Sequence, residues 1–232
     1  MICRPTGPSP TVGYNSNETK IVVDEYARNY IATDDWHFAF FNFIDDKQLA
    51  DRLGEEFWTA RYIYKLLEGL EADDWLQKAQ IRLQILSYAS IYEAWIHHLL
   101  FVNSSADAKV IELTQFSTKK PISIPRLAMD ALAKHLENDG KTIIPTYKTI
   151  GKTAETKVRF DRKAEYACSL GIIEPLLRDE LIEFYEARNS IHIHAEIRKG
   201  LSYELYLSKR SYRRMQLFKE QVSKWLPAPQ SS

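Results

Sequence analysis

The side chains best suited to chemistry lie in one short run near the C-terminal end of the chain. The run reads Arg188-Asn189-Ser190-Ile191-His192-Ile193-His194. Histidine can take up and release a proton near neutral pH, and arginine carries a permanent positive charge. The pair suits a phosphodiester, because arginine neutralises the phosphoryl oxygens while histidine moves the proton of an attacking hydroxyl or a leaving oxygen. The amide of Asn189 lies beside them in sequence.

Helical spacing predicts where Arg188 points. A helix is predicted over residues 174–188, and its apolar face passes through Leu181 and Phe184, from which the next step of four reaches Arg188. We therefore expect the guanidinium to face the core at a helix C-terminus, where the helix dipole favours a cation. A buried arginine needs a partner, and Glu93 in the central apolar helix is the candidate. Such a pair either fixes helix packing or supports a functional site, and both interpretations stay open.

The two histidines project differently in the two structures that their segment can adopt. Apolar and polar residues alternate from Ile191 and again up to Leu207, on either side of a glycine, which predicts a β-hairpin near residues 191–207. A continuing helix is the alternative. On a strand, His192 and His194 share one face, whereas on a helix Arg188 and His192 do.

This run resembles the signature of the HEPN superfamily, in which arginine is followed by a polar residue and, a few residues later, by histidine. Here Asn189 is the polar residue, and five residues separate Arg188 from His194. His192 matches the shorter spacing of other HEPN-like proteins, so the catalytic histidine is either of the two. The setting is similar as well: a long aliphatic and aromatic helix, SYASIYEAWIHHLLF, precedes the helix that ends in the signature.

The resemblance implies a HEPN-like helical bundle that forms a homodimer with both signatures in one composite cleft. Many such proteins are metal-independent endoribonucleases that act as toxins, antiviral effectors or RNA-processing enzymes. In them histidine serves the attack of the 2′-hydroxyl and arginine steadies the phosphate. For this chain it implies RNA as a partner, an antitoxin or regulatory protein as another, and Arg188, Asn189, His192 and His194 as the catalytic set, supported by Glu93. The alternative is a non-catalytic module that dimerises and binds protein or nucleotide.

Basic side chains gather in two places, although the net charge of the chain is zero. We predict nucleic-acid contacts from two groups near the signature: Lys157, Arg159, Arg162 and Lys163 in the first, and Lys209, Arg210, Arg213 and Arg214 in the second. Beside a phosphodiester these groups contact the backbone and make binding strongly dependent on salt. Two solvated surfaces are the other interpretation.

Apolar periodicity indicates a mainly all-α fold with one small β-hairpin. Strong spacings of three and four predict helices over 47–70, 74–101, 174–188 and 208–225, and weaker ones predict helices over 19–31, 107–116 and 125–137. The second of the strong helices is apolar on more than one side, which is typical of a central helix. An aromatic run at 36–43 receives no assignment.

Composition indicates one domain over 18–226 with an inserted basic segment around 139–163, between a disordered leader at 1–17 and a tail at 227–232. Two cysteines form no disulfide framework. No third His or Cys lies at a ligand spacing from the histidine pair, so we expect neither a metal nor another cofactor. The sequence lacks a signal-peptide layout and a bilayer-length apolar stretch, so we expect a cytoplasmic protein without membrane contact.

Overall fold

The computed structural model describes residues 16–135, 144–191 and 204–226. Over these residues the chain is mainly helical, with nine α-helices and one small two-stranded antiparallel sheet. The predicted fold class is therefore confirmed. Among the same residues, none of the helices combines the length and the apolar character needed to cross a bilayer.

The helices are α1 (Ser16–Asn29), α2 (Asp34–Ala39), α3 (Lys47–Gly69), α4 (Asp74–His98), α5 (Ala108–Leu113), α6 (Arg126–His135), α7 (Phe160–Ser169), α8 (Pro175–Asn189) and α9 (Leu205–Trp225). A π-helical turn, Leu99–Asn103, extends α4, and a short 3-10 helix, Glu155–Lys157, precedes α7. The strands are β1 (Gln115–Pro121) and β2 (Thr146–Lys152). Each helix predicted from periodicity is present, within a few residues of its expected bounds, whereas α2, α7 and both strands were not predicted.

The sheet of the described residues, formed by β1 and β2, lies outside the segment for which alternation predicts a hairpin. Of the hairpin expected near 191–207, residues 192–203 lie outside the described residues. Helix α9 begins at Leu205, so Leu205 and Leu207 are helical and not part of a strand. Helix formation is cooperative, so a long helix gains another turn at its start without a new nucleation step. A strand would instead need a partner for its backbone hydrogen bonds, and these residues are therefore helical.

The chain divides into two compact units. The first comprises Met1–Tyr92 and Glu183–Ser232, and the second comprises Glu93–Ile182. The second unit contains α5, α6, α7 and both strands, and the basic segment expected around 139–163 lies within it. Residues 16 and 17 of the expected leader belong to α1, while the rest of the leader and the tail at 227–232 lie outside the described residues.

Aromatic side chains form the core of the first unit around Phe57 of α3, which is 1% exposed. Six rings lie with centroids 4.9 to 6.3 Å from that of Phe57, and they belong to Trp36, His37, Phe40, Phe41, Tyr88 and Tyr212. The unassigned aromatic run is thus α2 with the turn after it. Gly54 permits this packing, because a Cβ there would lie 2.8 Å from Cδ1 and 3.0 Å from Cα of Phe38.

Hydrogen bonds from polar side chains fix the helices of the first unit against one another. The Gln84 amide nitrogen donates to the Ala60 carbonyl at 2.7 Å, and that of Gln80 donates to a second carbonyl of α3 at 3.0 Å. The Tyr92 hydroxyl donates to the Ser211 carbonyl of α9 at 2.7 Å. Each bond satisfies a buried polar group, so α3, α4 and α9 hold one relative position.

Replacing Phe57 by alanine should lower the free energy of unfolding by about 3–5 kcal/mol, because the cavity left among six rings cannot collapse. Urea unfolding followed by far-UV circular dichroism measures the change. Thr59→Ala is the control, since Thr59 is an exposed residue of the same helix. Equal losses in the two variants would show that the aromatic cluster does not dominate this core.

Candidate functional site

Arg188 lies in the last turn of α8 and is half-buried. The buried position of this turn is Ala187, which is 4% exposed and contacts Ile81 and Ile85. The Arg188 guanidinium carbon lies 5.1 Å from the centroid of the Tyr185 ring. Arg188 is thus partly buried beside the buried Ala187, and whether its guanidinium faces the core stays a prediction.

The chain is held firmly where it leaves α8. The Ser190 backbone nitrogen donates to the carbonyls of Glu186 and Ala187 at 3.1 Å, and its hydroxyl donates to the Glu186 carbonyl at 2.7 Å. Ile191 follows, and its side chain packs on the cluster of Ile81, Ile85 and Ala187. Asn189 is exposed at the end of the helix. The start of the signature is thus anchored on the core of the first unit.

The two predicted catalytic histidines, His192 and His194, lie outside the described residues. Their distance from Arg188, and the choice between them, stay predictions. Glu93, the expected partner of Arg188, belongs to the second unit, so that pairing also stays a prediction. Within the second unit burial lowers the pKa values of Lys163 and His97, and the negative charge of Glu93 opposes this lowering.

Lys163 was expected to contact nucleic acid, but it is 2% exposed and cannot touch an RNA backbone. Its Nζ donates to Nδ1 of His97 at 3.3 Å, and Nε2 of His97 lies 4.0 Å from Oε2 of Glu155. An ammonium group can only donate, so Nδ1 of His97 carries no proton and the ring proton is on Nε2, on the side of the carboxylate. The three side chains form a charged network within the second unit.

Burial shifts the titration of this network. It lowers the pKa of Lys163 against the opposing effects of Glu93 and Glu155, and burial followed by the charge of Lys163 lowers the pKa of His97. Because the folded protein disfavours protonated His97, this residue contributes stability above the ordinary histidine pKa of 6.5 and loses it as the pH falls. His97 is therefore a neutral hydrogen-bond acceptor at physiological pH.

The remaining predicted contacts of the first basic group are exposed. Lys157 and Arg162 project from the surface of the second unit. Arg159 is exposed too, but its guanidinium donates to both carboxylate oxygens of Asp161, at 3.1 and 2.6 Å. A nucleic acid at Arg159 must therefore compete with Asp161.

The second basic group is divided between two sides of α9. Arg210 forms an ion pair with Glu183, and its guanidinium carbon lies 5.3 Å from the Phe184 ring centroid, so it helps to hold α8 and α9 together. Arg214 is half-buried. Lys209 and Arg213 are exposed, and both line a cavity of the first unit. These two are the most exposed residues of the group.

Strands β1 and β2 form a cationic ribbon, and its Lys148 and Lys152 belong to the basic segment expected around 139–163. Lys119 pairs directly with Lys148, and Lys152 lies four pairs away along β2. Because the number of pairs is even, the three side chains share one face of the ribbon. Ile150 lies on this face as well and is 68% exposed. Like charges directly opposite each other destabilise a strand pair, so an anion on this face relieves their repulsion. In the sequence, repeated lysines among β-branched residues indicate such a ribbon. Only the pairing register of β1 and β2 shows which lysines lie together.

Comparison of this chain with protein-family models, with curated proteins and with solved structures finds no match. The HEPN resemblance therefore rests on the signature and its helical setting.

Replacing Lys163 by methionine should raise the pKa of His97, because the substitution removes a positive charge 3.3 Å from Nδ1 and keeps the site apolar. A titration of the His97 ring resonances by NMR measures this pKa. The control is Lys157→Met, which removes an exposed charge of the same unit and should leave the His97 pKa unchanged. An unchanged or lower pKa in Lys163→Met would contradict the network described here.

Proposed function

We propose that this protein is a metal-independent endoribonuclease of HEPN type, active as a homodimer whose two signatures share one cleft. The observation that carries the proposal is the position of Arg188 and Asn189. A half-buried arginine and an exposed amide lie at the C-terminal end of α8, and the first of two histidines follows three residues after the amide in sequence. The firm anchoring of Ser190 and Ile191 on the core supports it, because a catalytic arginine needs a fixed backbone.

The proposed chemistry assigns one role to each side chain. A histidine, His192 or His194, accepts the proton of a ribose 2′-hydroxyl while the 2′-oxygen attacks the adjacent phosphorus. The bond from phosphorus to the 5′-oxygen breaks and the 5′-oxygen takes up a proton from water, which leaves a 2′,3′-cyclic phosphate and a 5′-hydroxyl. Arg188 neutralises the charge that develops on the phosphoryl oxygens, and Asn189 donates a hydrogen bond to the same group.

The cationic ribbon of Lys119, Lys148 and Lys152 supports RNA as the substrate. Three exposed lysines on one face form a surface to which a phosphate backbone binds without reference to base sequence. Exposed Lys157 and Arg162 of the same unit add to the positive charge. An enzyme of this kind acts in the cytoplasm, in defence or a stress response, under the control of an antitoxin or another regulatory protein.

RNA cleavage in the presence of EDTA tests the catalytic proposal. Arg188→Ala should lower the cleavage rate by a factor of at least about 100, the usual contribution of one group that stabilises transition-state charge. Of His192→Ala and His194→Ala, the variant that loses activity identifies the proton acceptor. Lys224→Ala, an exposed substitution near the end of α9, is the control and should retain the wild-type rate.

A non-catalytic module that dimerises and binds protein or nucleotide is the second candidate. It is favoured by the contact of Arg188 with Tyr185, which gives the arginine a structural role without any substrate. In that case no RNA is cleaved by the wild type, and Arg188→Ala lowers the melting temperature. Cleavage that persists unchanged in all three variants of the signature would instead exclude the proposed active site.

Binding of single-stranded RNA tests the ribbon separately from catalysis. Lys119→Gln combined with Lys148→Gln should weaken binding and reduce the slope of log K against log salt by about 1.4, since each lost phosphate contact removes about 0.7. Fluorescence anisotropy at several salt concentrations measures both. The control pair is Lys109→Gln and Lys134→Gln, which removes two exposed lysines of the same unit outside the ribbon. Equal effects of the two pairs would point to general charge and not to the ribbon.

A further inference from the structure

The first unit contains a cavity of about 190 Å³ whose walls come mainly from α3 and α9. Its lining includes four cationic side chains, Arg61, Lys65, Lys209 and Arg213, and a single carboxylate, Glu68. The formal charge of the lining is therefore +3. The sequence predicts nucleic-acid contacts at Lys209 and Arg213, but no local spacing connects these residues with α3.

Helical spacing brings these charges together. Arg61, Lys65 and Glu68 occur at steps of four and three on α3, and Lys209 and Arg213 are four apart on α9, so each set lies on one side of its helix. Gln84 of α4 belongs to the lining, is buried, and is fixed by its hydrogen bond to the Ala60 carbonyl. The cavity thus has a rigid buried floor, while Lys209 and Arg213 are exposed.

Aromatic rings hold the Arg61 guanidinium in place. Its central carbon lies 4.0 Å from the centroid of the Tyr212 ring and 5.1 Å from that of Tyr64. Stacking uses the face of the guanidinium and leaves its edge for hydrogen bonds, one of which involves the Tyr88 hydroxyl. An arginine that is fixed before the ligand arrives loses less entropy on binding an anion with two parallel hydrogen bonds.

Glu68 is already paired with another residue of the cavity. It forms an ion pair with Lys65, and burial, which opposes ionisation of Glu68, is outweighed by this partner, so the pKa of Glu68 is lowered. The carboxylate is thus charged at neutral pH and compensates one of the four cations. The three other cations, Arg61, Lys209 and Arg213, remain to bind a ligand.

We propose that this cavity binds the terminal phosphate of a phosphate monoester. A monoester carries a charge of about −1.5 to −2 at pH 7, which suits three cations better than the single charge of a diester. A cavity of 190 Å³ is smaller than the roughly 300 Å³ at which pockets for drug-sized ligands begin, so it holds the phosphate while the rest of the ligand lies outside. The ligand is either a free nucleotide or the phosphorylated 5′ end of an RNA.

Calorimetric titration of the full chain tests this site without any cleavage step. Inorganic phosphate and adenosine 5′-monophosphate should bind, whereas adenosine should not. Arg213→Gln and Lys209→Gln should each weaken binding by about tenfold or more, the contribution of one hydrogen bond between charged groups. Both residues are exposed, so the variants should fold, and Lys224→Gln is the matched control on the same helix.

Two RNA probes, one with a 5′-phosphate and one with a 5′-hydroxyl, distinguish an RNA end from a free nucleotide as the ligand. If a short RNA with a 5′-phosphate binds much more tightly than the free nucleotide and than the same RNA with a 5′-hydroxyl, the ligand is an RNA end. If the free nucleotide binds as tightly as the phosphorylated RNA, and both lose affinity in Arg213→Gln, the ligand is a small phosphate ester. Either pattern supports the proposal.

Several results would overturn the phosphate site. They are the absence of binding by every phosphate probe, equal losses in Lys224→Gln and Arg213→Gln, and binding of citrate as tight as that of phosphate with the same response to Arg213→Gln. The site does not depend on the proposed ribonuclease activity. Arg188→Ala should retain phosphate binding even where cleavage is lost, so the two proposals fail separately.

Discussion

The burial of the Phe57 ring is the interaction on which the first unit depends. Rings from α2, α4 and α9 surround it, so this one side chain of α3 fixes the position of three other helices. Arg61 follows one turn later on α3, and Tyr212, which contacts Phe57, is also the ring on which Arg61 stacks. The apolar core therefore fixes the geometry of the cationic cavity, because the ring that packs on Phe57 also holds Arg61.

Positively charged side chains of this protein occupy two different environments, one buried and one exposed. Lys163 is buried and offset by the carboxylates of Glu93 and Glu155, at the cost of a lowered pKa. Lys119 and Lys148 are instead exposed and opposite each other, where water and salt weaken their repulsion. The first arrangement favours a closed network inside the second unit, and the second favours an anionic partner from solution. Only the exposed arrangement is suited to RNA.

The long helices and the mainly α fold class follow from the sequence, because apolar spacing over several turns has one favourable burial pattern. Short helices and strands contain too few residues for an apolar spacing to predict them. Helix α2 has only six residues, and its position depends on Phe57 and on the close approach allowed by Gly54. Alternation up to Leu207 suggested a strand, but α9 extends to Leu205 because a long helix grows at little cost.

The sequence by itself determined the candidate signature from Arg188 to His194 and the charge of α9. Tertiary structure decided which charges act together: Lys163 is buried beside His97, whereas Lys209 and Arg213 share a cavity with Arg61. Residues 61 and 213 are distant in the chain, so no local spacing relates them. Periodicity predicts the face of a helix on which a side chain lies, but only tertiary packing determines which residues that face contacts.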